Sequence, residues 1–169
     1  IVCGKPIDDD RFIEKIKGLF DIEKKPSAAK LLNELDQRRA SNTINLGVLT
    51  RVGNAYLLRY KGEDNWSSDL STASQALDVN VLHQLILKPA CGIDTRNQHD
   101  LGHLAYVRGN EPPLEMIKNV PDYDFVFFVN PPDLDQIFDV AETGETMPQK
   151  STYFYPKVYS GLVTAGIGD

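Results

Sequence analysis

Asp124-Phe125-Val126-Phe127-Phe128-Val129, running into Asn130-Pro131-Pro132-Asp133, is the stretch on which the fold turns. Its β-branched and aromatic side chains suit a pleated surface. Apolar residues fall on both faces, so a strand here is covered on both sides and central in its sheet. The two prolines cannot donate to a ladder and end the strand. Asp133 then caps a helix that carries Leu134, Ile137, Phe138 and Ala141 at helical spacing, and Gly144 closes it.

Working upstream, Pro112-Pro113 opens a short helix with Leu114 and Ile117, and Leu104-Ala105-Tyr106-Val107 reads as a strand. Cys91 to Gly102 is a polar loop. His99 and His103 have a metal-ligand spacing, but Gly102 interrupts any shared helix and no third ligand joins them, so the pair is not read as a metal site. Asp78 caps a helix with Val81, Leu82, Leu85 and Ile86 on one face, ended by Pro89; His83 points away from that face and reads as a rim histidine. Lys61 to Thr72 is a polar loop whose Trp66, the sole tryptophan, is expected to tuck back onto the domain.

Further upstream, Thr43 to Arg51 alternates and reads as a half-buried strand. Gly53-Asn54 turns it into Ala55-Tyr56-Leu57-Leu58-Arg59-Tyr60, giving an antiparallel hairpin. Ser27 caps a helix with Ala28, Leu31, Leu32 and Leu35, which ends in Gln37-Arg38-Arg39; the arginines complement the helix dipole and read as a solvated face rather than an anion site. Asp8-Asp9-Asp10 starts a helix with Phe12, Ile13, Ile16, Leu19 and Phe20 on its apolar face. The triad reads as capping, because consecutive carboxylates diverge on a helix and cannot share a metal. Residues 1–7 read as an extended lead-in. The pattern is one α+β domain over 1–169, a mixed sheet of roughly four or five strands with packed helices. The last two strands, joined through a helix, are expected to be parallel with a right-handed crossover.

The chain has 169 residues, 41% hydrophobic and 25% charged, which are globular values. A net charge of −6, from 24 acidic and 18 basic residues, opposes phosphate-driven nucleic-acid binding. No apolar run is long enough to span a membrane. Cys3 and Cys91 lack the spacing of a zinc site or disulfide framework, so a reducing cytoplasm is the expected location. The opening Ile-Val-Cys-Gly is read as the start of a fragment or trimmed chain.

Downstream lies Met147-Pro148-Gln149-Lys150-Ser151-Thr152-Tyr153-Phe154-Tyr155-Pro156-Lys157, followed by Ser160-Gly161-Leu162, with no acidic residue from Met147 to Gly168. An ammonium and two hydroxyls at Lys150, Ser151 and Thr152 suit a phosphate or carboxylate. This is no P-loop, since no Gly-rich run precedes the lysine. The alternative is an edge strand, Ser151 to Tyr155, whose aromatics pack on a partner.

This motif, with Leu77-Asp78-Val79-Asn80-Val81-Leu82-His83 and the Asp124–Phe128 strand before it, resembles the C-terminal signature of a bacterial family known as domain of unknown function 1015. Members are about twice as long, and their Asp-Gly-His-His-Arg motif is absent here. The resemblance implies that the chain is the C-terminal half of such a protein, with the N-terminal half as its partner and part of any active site. The absent motif is itself similar to the nucleotide-binding motif of ParB-like proteins, a fold that includes small-molecule kinases. An enzyme working on a phosphorylated or anionic small molecule is therefore expected, with phosphoryl transfer as its reaction and Lys150, Ser151, Thr152, Tyr153, Tyr155 and Lys157 as substrate-binding residues. The catalytic residues and the cofactor stay open, a nucleotide being one candidate, as does homo-oligomer formation. In a sheet with a parallel portion, ligands gather beyond the carboxyl ends of strands. The site is accordingly expected beyond Val129, with the Met147 motif folded across it. The competing expectation is a non-catalytic interaction module.

Overall fold

The computed structural model describes residues 1–5, 7–39, 41, 43–62, 66, 70–107, 123–148 and 151–152. The fold is α+β. In chain order the described residues form β1 (Val2–Cys3), α1 (Asp9–Ile16), β2 (Phe20–Lys25), α2 (Ala28–Arg38), β3 (Asn45–Thr50), β4 (Ala55–Tyr60), α3 (Thr72–Gln75) and α4 (Asp78–Val81). A π-helix (Leu82–Cys91), α5 (Gln98–Leu101), β5 (Leu104–Ala105), β6 (Phe125–Phe128) and α6 (Leu134–Glu142) follow. The helix expected at Pro112-Pro113 lies outside the described residues.

The strands form one six-stranded sheet in the order β2-β4-β3-β6-β1-β5. Every neighbouring pair is antiparallel, so the sheet is not mixed and has more strands than expected. The last two strands run in the same direction but do not pair. Residues 1–7, read as a lead-in, supply β1, and Val2 pairs with Val126 on one side and Ala105 on the other. A two-residue strand carries no periodicity, and for that reason its sequence gave no signal.

Alternation along each strand sorts the core into two layers. Leu46, Val48, Leu58, Phe125 and Phe127 face α1 and the π-helix, through Phe12, Ile16, Leu82, Leu85 and Ile86. Leu49, Leu57 and Val126 face α2, through Leu31 and Leu35. Helices on both faces leave β3 buried along its whole length, not half-buried as its alternation suggested. Gly47 lets α2 approach: a Cβ there would stand 2.6 Å from Leu35 Cδ1 and 3.1 Å from Phe128. The β3–β4 hairpin stands as expected, with Gly53 at φ 85° in its turn. Asp9 in the first turn of α1 clamps that turn, accepting from Thr50 Oγ1 at 3.0 Å and Asn54 Nδ2 at 2.7 Å.

Two helix readings are corrected. The α1 face was expected to run on to Phe20, but α1 stops at Ile16 and Phe20 begins β2, paired with Tyr60. Leu19 and Phe20 are apolar at helical spacing because they enter the same core from a strand. The helix expected to end at Pro89 instead continues as a π-helix to Cys91 and closes at Gly92, φ 64°. The wider π-turn changes which carbonyls need donors, and it admits a residue that lacks an N–H. Lysine ammoniums take the carbonyls at its end: Lys15 donates to Pro89 and Ala90, and Lys5 to Gly92. The caps at Asp8, Ser27 and Asp133 form as read. Trp66 packs against the main core.

Candidate functional site

Beyond the carboxyl end of β6, a cleft of about 400 Å³ opens among three connections. The link from α2 to β3 contributes Arg39, Ser41, Thr43 and Ile44; the turn from α3 into α4 contributes Ala76 to Val79; the entry to α6 contributes Asn130 to Asp133 and Gln136. The volume is that of a small-molecule site.

Each wall is tied to the next by hydrogen bonds from the sequence that builds it. Asn130, the first residue past the strand end, donates through Nδ2 to Asn45 O at 3.2 Å and to Asp78 Oδ2 at 2.9 Å. Its backbone N–H reaches the same Oδ2 at 3.3 Å. Buried Asn45 holds the opposite wall, donating to Thr43 O at 2.6 Å and to Ser41 Oγ at 3.0 Å. Asp133 and Gln136 form a reciprocal capping box, and Gln136 Nε2 also reaches Ala76 O at 3.3 Å, joining α6 to the turn before α4. At the start of α6 the Gln136 N–H is taken by the Asp133 carboxylate and the Ile137 N–H by Asp133 O.

The charged residues differ in their commitments. The Asp133 carboxylate accepts the Gln136 amide at 2.8 Å. Arg39, exposed at the end of α2, lines the cleft, while its neighbour Arg38 is bound to Glu34 at 2.7 Å. Asp78 was expected to be an N-cap. Leu77 holds that position without a side-chain bond, and the Asp78 carboxylate turns to Asn130 instead. Burial raises the Asp78 pKa above the ordinary aspartate value, with the two Asn130 bonds opposing the shift. Among the described residues only Oδ2 accepts, and Asp78 lines the cleft.

Of the residues expected to bind substrate, Lys150, Tyr153, Tyr155 and Lys157 lie outside the described residues. Ser151 and Thr152 are half-buried and do not line the cleft; the Ser151 hydroxyl donates to Pro148 O at 2.6 Å, closing a turn. The lead-in to the motif packs against residues that line the cleft. Met147 packs with Leu77, Val79 and Val140, and Leu77 and Val79 line the cleft. Just before it, the Glu145 carboxylate accepts from Ser71 N at 2.7 Å, Ser71 Oγ at 3.1 Å and Ser74 Oγ. Those bonds, Ser74 foremost, hold its pKa below the ordinary glutamate value.

Arg39 was read as solvated and is exposed, though at the cleft; Asp78 and Asn130 were read as helix cap and strand terminator, and their bond to each other was missed. The available signal was chemical: a carboxylate and an amide at the ends of different elements that both point toward one strand end. His83 is corrected as well. It is buried, with Nδ1 3.3 Å from Thr95 Oγ1 and Nε2 without a partner. Among the described residues no cluster of three or more His, Cys, Asp or Glu could hold a metal, and no helix is long and apolar enough to cross a membrane. Cys3 and Cys91 are free and buried.

Comparison with known proteins adds no relative: no family model matches the chain, and neither a curated protein nor a solved structure is similar to it.

Proposed function

We propose that this chain forms the ligand-binding part of an enzyme acting on a phosphorylated or otherwise anionic small molecule, with phosphoryl transfer as its reaction. The observation that carries the reading is the cleft beyond β6, which the exposed Arg39 lines from the end of α2. A guanidinium suits an anion, and the Thr43 hydroxyl suits one of its remaining oxygens, whereas the Ser41 hydroxyl already donates to Thr43 O at 3.1 Å. Met147, packed on the cleft residues Leu77 and Val79, supports a role for the motif that follows it, in which Lys150 and Lys157 would add positive charge. The membership implied by the motif would bring a nucleotide and the Asp-Gly-His-His-Arg half to the reaction.

A panel of phosphate, pyrophosphate, nucleotides and phosphorylated amino acids, screened by thermal unfolding, tests this reading. A specific ligand at a hundred times its dissociation constant should stabilise the protein by roughly 2–3 kcal/mol. Arg39→Ala and Lys150→Ala should each reduce the shift. A panel without a shift, in this chain and in one joined to the His-His-Arg half, would remove the enzyme reading.

One observation favours the interaction module. Leu134 and Phe138 lie one turn apart on α6 and are 62% and 64% exposed. If they carry a partner contact, Phe138→Asp abolishes association and leaves the ligand shifts intact.

A further inference from the structure

Two thiols distant in sequence meet in the main core. Cys3 on β1 and Cys91 at the end of the π-helix are 0% and 2% exposed and belong to one cluster. They interact directly, the Cys91 S–H donating to the Cys3 sulfur. The backbone is held on both sides of that contact. Cys3 pairs with Leu104 and Phe125 on the neighbouring strands. Around Cys91, Lys15 of α1 donates to Ala90 O at 3.0 Å, and Lys5, two residues past Cys3, donates to Gly92 O at 3.1 Å. The bond from Cys91 foremost, joined by the Lys5 N–H and charge, holds the Cys3 thiol below the ordinary cysteine pKa against its burial. The same bond, and burial, push the Cys91 thiol up. The pair thus divides into an incipient thiolate and a partner that keeps its proton.

We infer that Cys3 and Cys91 are a dithiol built to close into an intramolecular disulfide, which ties β1 to the end of the π-helix when the chain folds in an oxidising medium. The oxidant is a low-molecular-weight disulfide such as oxidised glutathione. The Cys3 thiolate attacks one of its sulfurs, its S–S bond breaks, and one glutathione thiolate leaves. The Cys91 sulfur gives its proton to solvent and attacks the Cys3 sulfur of the mixed disulfide, and the second glutathione thiolate leaves. Two protein thiols are oxidised and one disulfide is reduced to two thiols. Both sulfurs lie too deep for glutathione in the native state, so the exchange runs through the opened chain and folding brings the pair together. The cross-link closes a loop that contains every element from α1 to the π-helix, and a loop of that length restricts the unfolded chain strongly.

The test equilibrates the whole chain in mixtures of reduced and oxidised glutathione, once in native buffer and once in urea. Acid quenching, alkylation in urea and mass spectrometry then read the fraction that carries the Cys3–Cys91 bond. The equilibrium constant for the bond should be about thirtyfold or more larger in native buffer, as for a disulfide that the fold fits. The oxidised protein should unfold at higher urea than the reduced one and return to the lower midpoint in dithiothreitol. Cys91→Ser should form no cross-link, and its urea midpoint should not depend on the glutathione mixture. A constant in native buffer equal to or below that in urea would overturn the inference. So would a native product that carries glutathione or a second chain in place of the cross-link. The wild-type ratio decides the matter even if Cys91→Ser does not fold.

Discussion

His83 shows how one buried side chain sets a pH dependence. Burial lowers its pKa from 6.5 to about 4, because charging the ring would put an ion where Nε2 has no partner. In the unfolded chain the ring protonates near its ordinary pKa, so between those values the unfolded state binds more protons. Stability from this residue is therefore full above pH 6.5, falls as pH drops, and changes no further below about 4. A shift of this size corresponds to roughly 3 kcal/mol. Urea midpoints measured from pH 7.5 to 3.5 should show that loss, and His83→Leu should lack it. Asp78 behaves in the opposite sense. Its raised pKa means that ionisation weakens the fold as pH rises, so Asp78→Asn without ligand should be more stable than wild type at pH 7 and lose that advantage in acid. A variant less stable than wild type at both pH values would show that the Asn130 bonds to the carboxylate outweigh the cost of burying it.

At the scale of elements, α1 is fastened by rings. Phe12 packs at 4.6 Å from Phe125 and 6.1 Å from Phe127, and all three are buried. Phe12→Ala should cost roughly 3–5 kcal/mol in denaturant unfolding. On the other face, buried Lys25 of β2 reaches Glu34 of α2 at 2.6 Å and Glu23 at 2.5 Å. Glu34→Ala should destabilise clearly, whereas Lys25→Met with Glu34→Leu should come within about 1 kcal/mol of wild type, since an apolar pair replaces a buried ionic one at little net cost. These elements also show what the sequence disclosed. Ser27, Asp133 and Gly144 announced their helix ends through local chemistry, and Phe125 to Phe128 announced a central strand by being apolar on both faces. β2 did not, because Phe20, Ile22 and Lys25 mix charge with apolar residues and the preceding helix periodicity runs into them. The π-helix did not, because its wider turn brings His83 and Leu87 into the core together with Leu82 and Leu85, a pattern that ordinary helical spacing cannot anticipate. A site beyond Val129 was expected from a parallel portion of the sheet; the sheet is antiparallel throughout, so that reason falls, and the residues of the cleft were not legible either. Arg39, Asp78 and Asn130 come from three separate connections, and only the folded sheet brings them to one cleft.

For the whole molecule, the N-terminal strand inserted between β6 and β5 makes the sheet a closure of distant segments. Cys3 on β1 and Cys91 at the end of the π-helix both belong to the main core and are almost fully buried. A thiol reagent should label neither cysteine in the native protein and both on unfolding, at rates that report global opening rather than local fraying. The same closure sets Arg39, Asp78 and Asn130 around the cleft, and ligand binding there is the account's central claim. The most direct measurement is a map of backbone amide NMR shifts on titration with pyrophosphate. The account predicts changes concentrated at Arg39, Ser41 and Thr43, at Ala76 to Val79, and at Asn130, Asp133 and Gln136. Saturable changes elsewhere, or none at millimolar ligand, would contradict it.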